Sequence, residues 1–117
     1  MLKSFLHRRL LQTLRFSVRG FGFAWKHEEA FRVEVVLLLG LLPLALWLGE
    51  SALERVALVV PCVLVLLAEL LNSAIEAVVD LCSPEPHPLA AAAKDMGSAA
   101  VFVTLILVPT VWLMVLI

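Results

Sequence analysis

Glu69, Asn72, Glu76 and Asp80 place three carboxylates and an amide in a segment otherwise made almost entirely of hydrocarbon. At about 100° per residue they fall at about 0°, 300°, 340° and 20° around a helix, a single polar stripe. Between Leu70 and Val79 the remaining residues are apolar except Ser73, and Val56 to Ala68 carries no charge. An ionised carboxylate at membrane depth costs several kcal/mol, from about 2.5 upward depending on the scale, so a stripe of this kind implies use. The bland alternative is a helix whose acids meet bulk water where it leaves the membrane. That account suits Asp80 but not Glu69 or Glu76.

The chemistry open to such a stripe depends on what joins it. Arg9, Glu28, Glu34, Glu85, His87, Lys94 and Asp95 are the other polar residues expected on the same side. Carboxylates that meet in a low dielectric repel one another, and a hard divalent cation relieves that repulsion. Mg²⁺ commonly takes one or two carboxylates plus phosphate oxygens, which suits Glu28 and Glu76 as metal ligands. Lys94 and Arg9 then offset remaining phosphate charge. Glu69, about 10 Å along the helix from Glu76, is left as general base, because a carboxylate withdrawn from water is a better proton acceptor. Asn72 orients it or touches phosphate. Metal-holding carboxylates, phosphate-binding cations and a spare base are the parts of phosphoryl transfer. No Gly-rich phosphate loop ending in Lys-Ser/Thr is present, and there are only five glycines, so a nucleotide must be held by side chains.

These residues require elements that cross a bilayer. The 117-residue chain is 62% hydrophobic and 16% charged, more apolar surface than a soluble domain this small can bury. Three crossings are predicted, over residues 30–48, 53–80 and 96–117, in one membrane domain. The last is uncharged, interrupted by Pro109, and long enough to span. Residues 81–93, with Pro84, Pro86 and Pro88, read as a cytoplasmic loop. Residues 1–26 read as an interfacial helix. With Arg8 at zero, Arg15, Arg19 and Lys26 cluster within about 20°, while Leu10, Leu14, Val18, Phe21 and Trp25 lie between about 200° and 280°. Gly20 and Gly22 are expected to loosen or bend this helix. The expected fold is an all-α membrane protein with one surface helix and three transmembrane helices.

Seven of the nine basic residues (Lys3, Arg8, Arg9, Arg15, Arg19, Lys26 and Arg32) lie near the N-terminus, which places that end in the cytoplasm and the C-terminus outside. They form no secretory leader, since no apolar core or small-residue cleavage site accompanies them. Cys62 and Cys82 are too differently placed for a disulfide or metal framework. Trp25, Trp47 and Trp112 fall at the interfaces, where aromatic belts account for them. No nucleic-acid partner is expected.

The motif Glu69-x-x-Asn72-x-x-Ile75-Glu76-x-x-x-Asp80, with Ala93-Lys94-Asp95-Met96-Gly97-Ser98-Ala99-Ala100 and the upstream Ala24-Trp25-x-x-Glu28-x-Ala30-Phe31-Arg32-x-Glu34, resembles the prokaryotic diacylglycerol kinase family. The resemblance covers nearly the whole chain. It implies an integral-membrane lipid kinase using Mg²⁺ and ATP in the bacterial inner membrane, a homotrimeric helical bundle with active sites between subunits. By resemblance Glu69 is the proton acceptor and Glu28 and Glu76 are the metal ligands. Arg9, Phe16, Glu28, Glu76, Glu85, His87, Lys94 and Asp95 correspond to nucleotide-contacting positions. Asn72, Asp80 and Glu34 support the site, while Trp25, Trp47, Arg55, Ser98 and Trp112 correspond to lipid-facing positions. Phe16 departs from the family, where tyrosine is common, so a phenolic contact to nucleotide is lost.

Plain structural readings compete at several of these positions. His87 is as readily a solvated loop residue, and Glu50, Glu54 and Arg55 an exposed turn. Lys94-Asp95 suits a helix start, and Gly97 to Ala100 allow close helix approach. The expected activity is phosphorylation of diacylglycerol to phosphatidate. Phosphorylation of undecaprenol is the close alternative, and a small cation or proton pathway is the alternative from another class. A non-catalytic scaffold leaves Glu69 unexplained.

Overall fold

The computed structural model describes all 117 residues as four helices: α1 (Leu2–His27), α2 (Glu29–Leu48), α3 (Ala52–Cys82) and α4 (Pro88–Leu116), with no strand. α2, α3 and α4 are each long and apolar enough to cross a membrane. The molecule measures 50 × 45 × 24 Å. The second dimension exceeds the width of three packed helices, each about 10–12 Å across, so α1 lies across the bundle rather than in it.

Only 13 of 117 residues are buried, far too few for a core shielded from water, so the apolar flanks belong against lipid or another protein surface. What is buried follows a seam. On α2 it is Phe31, Leu38 and Ala45; on α3 it is Leu58, Pro61, Cys62, Val65, Glu69 and Asn72; on α4 it is Gly97 and Val101. The alternating spacing of four and three along α3 is that of helices crossing at a shallow angle with side chains interlocked. α3 and α4 form the most extensive contact, α2 packs on α3, and α1 touches α2 lightly.

Each junction is closed by side chains acting on helix ends. The chain breaks at Glu28, whose backbone is extended (φ −117°, ψ 106°). Across that break Arg32 Nη1 donates to the carbonyls of Trp25 at 2.8 Å and Lys26 at 3.3 Å, satisfying acceptors at the end of α1. Between α2 and α3, Ser51 accepts from Glu54 N at 3.1 Å, Glu54 Oε2 accepts from Glu50 N at 2.8 Å, and Arg55 Nε donates to Leu46 O at 3.1 Å. A Cβ on Gly49 would lie 2.5 Å from Arg55 Cγ, so glycine makes room for that Arg55 stem. Between α3 and α4, His87 Nδ1 accepts from Leu89 N at 3.1 Å and Pro88 opens the helix.

The last of these junctions differs from the expected one. The irregular stretch is Ser83–His87 rather than residues 81–93, and α4 begins at Pro88 instead of near Met96. Proline at the first helical position loses no hydrogen bond, and Ala90 to Ala93 then propagate the helix. α1 likewise runs unbroken through Gly20 and Gly22, neither of which faces any close neighbour.

Trp112 is half-buried, and its Nε1 donates to Leu58 O at 3.0 Å, a bond from α4 to α3 in the turn before Pro61. Its indole therefore fastens two helices. Trp112→Phe should lower stability by about 1 kcal/mol in a detergent-denaturation series, the worth of one such bond. An unchanged denaturation midpoint would show that Trp112 does not fasten the helices.

Candidate active site

The seam of α3 changes character halfway along. Leu58, Cys62 and Val65 are apolar, and the same face then continues as Glu69, Asn72 and Glu76. Glu69 is 6% exposed and Asn72 8% exposed, so this half of the stripe is a packing surface, whereas Glu76 is half-buried and Asp80 exposed. Helix periodicity placed these residues on one face, and α2 and α4 cover that face.

Glu34 of α2 approaches Glu69 there, close enough for the two carboxylates to interact electrostatically. Glu34 Oε2 is buried and has no partner. Glu28, at the α1–α2 break, and Glu76 both act electrostatically on Glu69. Asn72 Nδ2 donates to Glu76 Oε1 at 3.3 Å, tying the two polar residues one turn apart. At the far end Lys94 Nζ pairs with Asp80 Oδ1 at 2.5 Å, and Glu76 lies within electrostatic reach of Lys94.

Four carboxylates (Glu28, Glu34, Glu69, Glu76) thus share a neighbourhood with one ammonium, and that ammonium is already paired. Arg32, the nearest guanidinium in sequence, is turned to the carbonyls of α1. Such a cluster calls for added positive charge. Hard oxygen donors suit Mg²⁺, yet no three His, Cys, Asp or Glu side chains converge on one point. Glu28 and Glu76 each lie within electrostatic reach of Glu69 and could supply two carboxylate ligands, the rest coming from water or phosphate.

Beside Lys94 and Asp80 opens a cleft of about 600 Å³, lined by Ser83, Glu85, His87 and the three loop prolines among others. Its size is that of a nucleotide-scale ligand site. Glu85, His87 and Lys94 all reach it. Arg9, Phe16 and Asp95 do not; they are exposed elsewhere, Arg9 and Phe16 on the nearly uncovered α1. Among the expected lipid-facing positions, Trp25, Trp47 and Ser98 are exposed. Arg55 is held at the α2–α3 turn and Trp112 in the α3–α4 contact.

Two features escape a reading of residue types. A groove of about 400 Å³ between α1 and α3 holds two hydroxyl-bearing residues, Ser17 and Ser73, and Ser73 Oγ is buried without a partner. The one hint was Ser73 as the single polar interruption of an apolar run. The other is the approach of Gly97 to Asn72, which no spacing rule within α4 announces.

The sequence matches the prokaryotic diacylglycerol kinase family over residues 15–116. It is 47% identical over 109 residues to a diacylglycerol kinase of Pseudomonas aeruginosa, covering 93% of this chain and 89% of that protein. A diacylglycerol kinase of Haemophilus influenzae is 44% identical over 103 residues, 88% of this chain and 87% of the relative. One from Escherichia coli K12 is 44% identical over 108 residues, 92% and 88% of the two chains. With a carboxylate cluster around the buried Glu69, three helices able to cross a membrane and a family match along most of its length, the chain belongs to the prokaryotic diacylglycerol kinases, a family of membrane lipid kinases.

Proposed function

We propose that this protein transfers the γ-phosphoryl group of ATP to the free hydroxyl of diacylglycerol, giving phosphatidate and ADP. The observation that carries this reading is the position of Glu69, buried where the apolar half of the α3 seam becomes polar. A lipid hydroxyl arriving from the bilayer side meets Glu69 first. Phosphate arriving from the cleft meets Lys94 first.

Glu69 accepts the hydroxyl proton as the lipid oxygen bonds to phosphorus and the bond to the ADP oxygen breaks. Bound Mg²⁺ would neutralise phosphate charge, with Glu28 and Glu76 as its protein ligands. Asn72 holds Glu76 by its amide. Lys94 balances charge on the phosphates, and Asp80 keeps the ammonium in place. Glu85 and His87 contact the nucleotide from the cleft. Arg9, Phe16 and Asp95 stand away from that cleft within one chain, which supports sites completed by a neighbouring subunit of a homotrimer. The basic α1 would lie on the cytoplasmic face of the inner membrane, with the C-terminus in the periplasm.

Undecaprenol would undergo the same chemistry at the same base. Purified protein assayed with each lipid in mixed micelles, with and without Mg²⁺, should phosphorylate diacylglycerol faster and only with the metal. Faster turnover of the polyprenol would reverse the lipid assignment, and proton or cation flux without ATP use would overturn the kinase reading.

Glu69→Gln should reduce turnover by about 10²–10⁴-fold while nucleotide binding persists, since the amide keeps the shape but cannot take a proton. Near-normal turnover would remove Glu69 as base. Glu76→Gln should instead raise the Mg²⁺ concentration for half-maximal activity by about 10–100-fold. An unchanged metal titration would defeat that assignment.

A further inference from the structure

Gly97 of α4 is buried against Asn72 of α3. A Cβ at this position would collide with Asn72 Oδ1, and it would sit 3.2 Å from Asn72 Cγ but a comfortable 3.7 Å from Asn72 Cα. The obstacle is the end of a side chain, not backbone. The helices could therefore keep their separation, and only the amide would have to leave.

That distinction separates Gly97 from a general small-residue contact, in which backbones approach and an added methyl strikes main chain. It also separates Gly97 from the other helical glycines. A Cβ on Gly20, Gly22 or Gly40 meets nothing within 4 Å. Glycine inside a helix is about 0.8–1 kcal/mol less favourable than alanine, so at Gly97 the helix gives up stability for space.

The space is used by one amide. Asn72 Nδ2 donates to Glu76 Oε1, and Asn72 Oδ1 is buried with no N–H or O–H partner. A side chain with one end unsatisfied has reason to turn away, and it stays because Gly97 leaves room for the oxygen on the α4 side. We propose that Gly97 is a positioning residue for phosphoryl transfer: its missing side chain is the seat of the Asn72 amide, which in turn aims the Glu76 carboxylate at the divalent cation. The inference rests on the metal role given to Glu76 above.

The test uses the full-length protein in detergent micelles and four variants: Gly97→Ala, Asn72→Ala, the two combined, and Gly40→Ala as a glycine with open space around it. Three quantities are read: the Mg²⁺ concentration for half-maximal activity, the affinity for Mn²⁺ by electron paramagnetic resonance, and the denaturation midpoint. Gly97→Ala should weaken both metal readouts by about tenfold or more with little change in midpoint, as displacement of a supporting residue does. The double variant should match Asn72→Ala alone, because the added methyl acts only through the amide it strikes. Gly40→Ala should match the unaltered protein.

Losses that multiply in the double variant would overturn the proposal. So would a lowered midpoint with unchanged Mn²⁺ affinity in Gly97→Ala, which is the outcome for simple helix packing. If Gly97→Ala fails to fold, the double variant decides: it lacks the atom struck, so it should fold and equal Asn72→Ala, and failure to do so counts against the proposal. Unchanged Mn²⁺ affinity in Glu76→Gln would overturn the metal role itself, whereas multiplied losses alongside a normal Glu76→Gln defect would overturn Gly97 alone.

Discussion

Everything in this molecule turns on one face of α3 serving two purposes. In its first half the face packs by hydrocarbon, through Leu58, Cys62 and Val65, and in its second half by Glu69, Asn72 and Glu76. The spacing does not change where the chemistry does, so the same interlocking with α2 and α4 that holds the bundle together also desolvates the carboxylates. Burying a charge without a partner is among the most unfavourable arrangements a protein can adopt. The fold nevertheless keeps three carboxylates near Glu69, with its one nearby ammonium already engaged by Asp80.

The polar half is supported from both ends. Lys94 and Asp80 join α4 to α3 at the loop end of the stripe, and Trp112 joins the same two helices towards their other ends, at Leu58 O. Between these two fastenings lies Gly97, where α4 gives way to the Asn72 amide. Arg32 and Arg55, both charged residues beside helix junctions, are drawn into closing helix ends. In a medium poor in water, free backbone carbonyls compete strongly for any guanidinium in reach. Such residues are easily mistaken for ligand contacts.

Much of this was legible in residue types and spacing. The three apolar helices, the basic surface helix and the grouping of Glu69, Asn72 and Glu76 follow from composition and a 100° period. That the grouped face is buried did not follow, because periodicity places residues on a face without saying what covers it. Residue type and spacing assign Glu34 a supporting place, and its nearness to Glu69 depends on how α2 crosses α3. Trp112 looked like a belt residue until its indole N–H was placed. The start of α4 is not legible in the sequence because three prolines suggest a long irregular stretch, whereas Pro88 stands where proline is best tolerated. Gly97 could be read as a small packing residue, and only the opposing helix shows which atom needs the room.

The cap on α4 has a consequence for recognition. His87 Nδ1 accepts the Leu89 N–H, so in the neutral ring the proton must reside on Nε2. The imidazole is thereby fixed as a one-way group, with a hydrogen to give at its outer nitrogen and no lone pair to offer. A group hydrogen-bonded to that outer nitrogen is therefore an acceptor, such as a carboxylate or phosphate oxygen. Helix initiation and the polarity of this edge of the cleft are settled by the same tautomer.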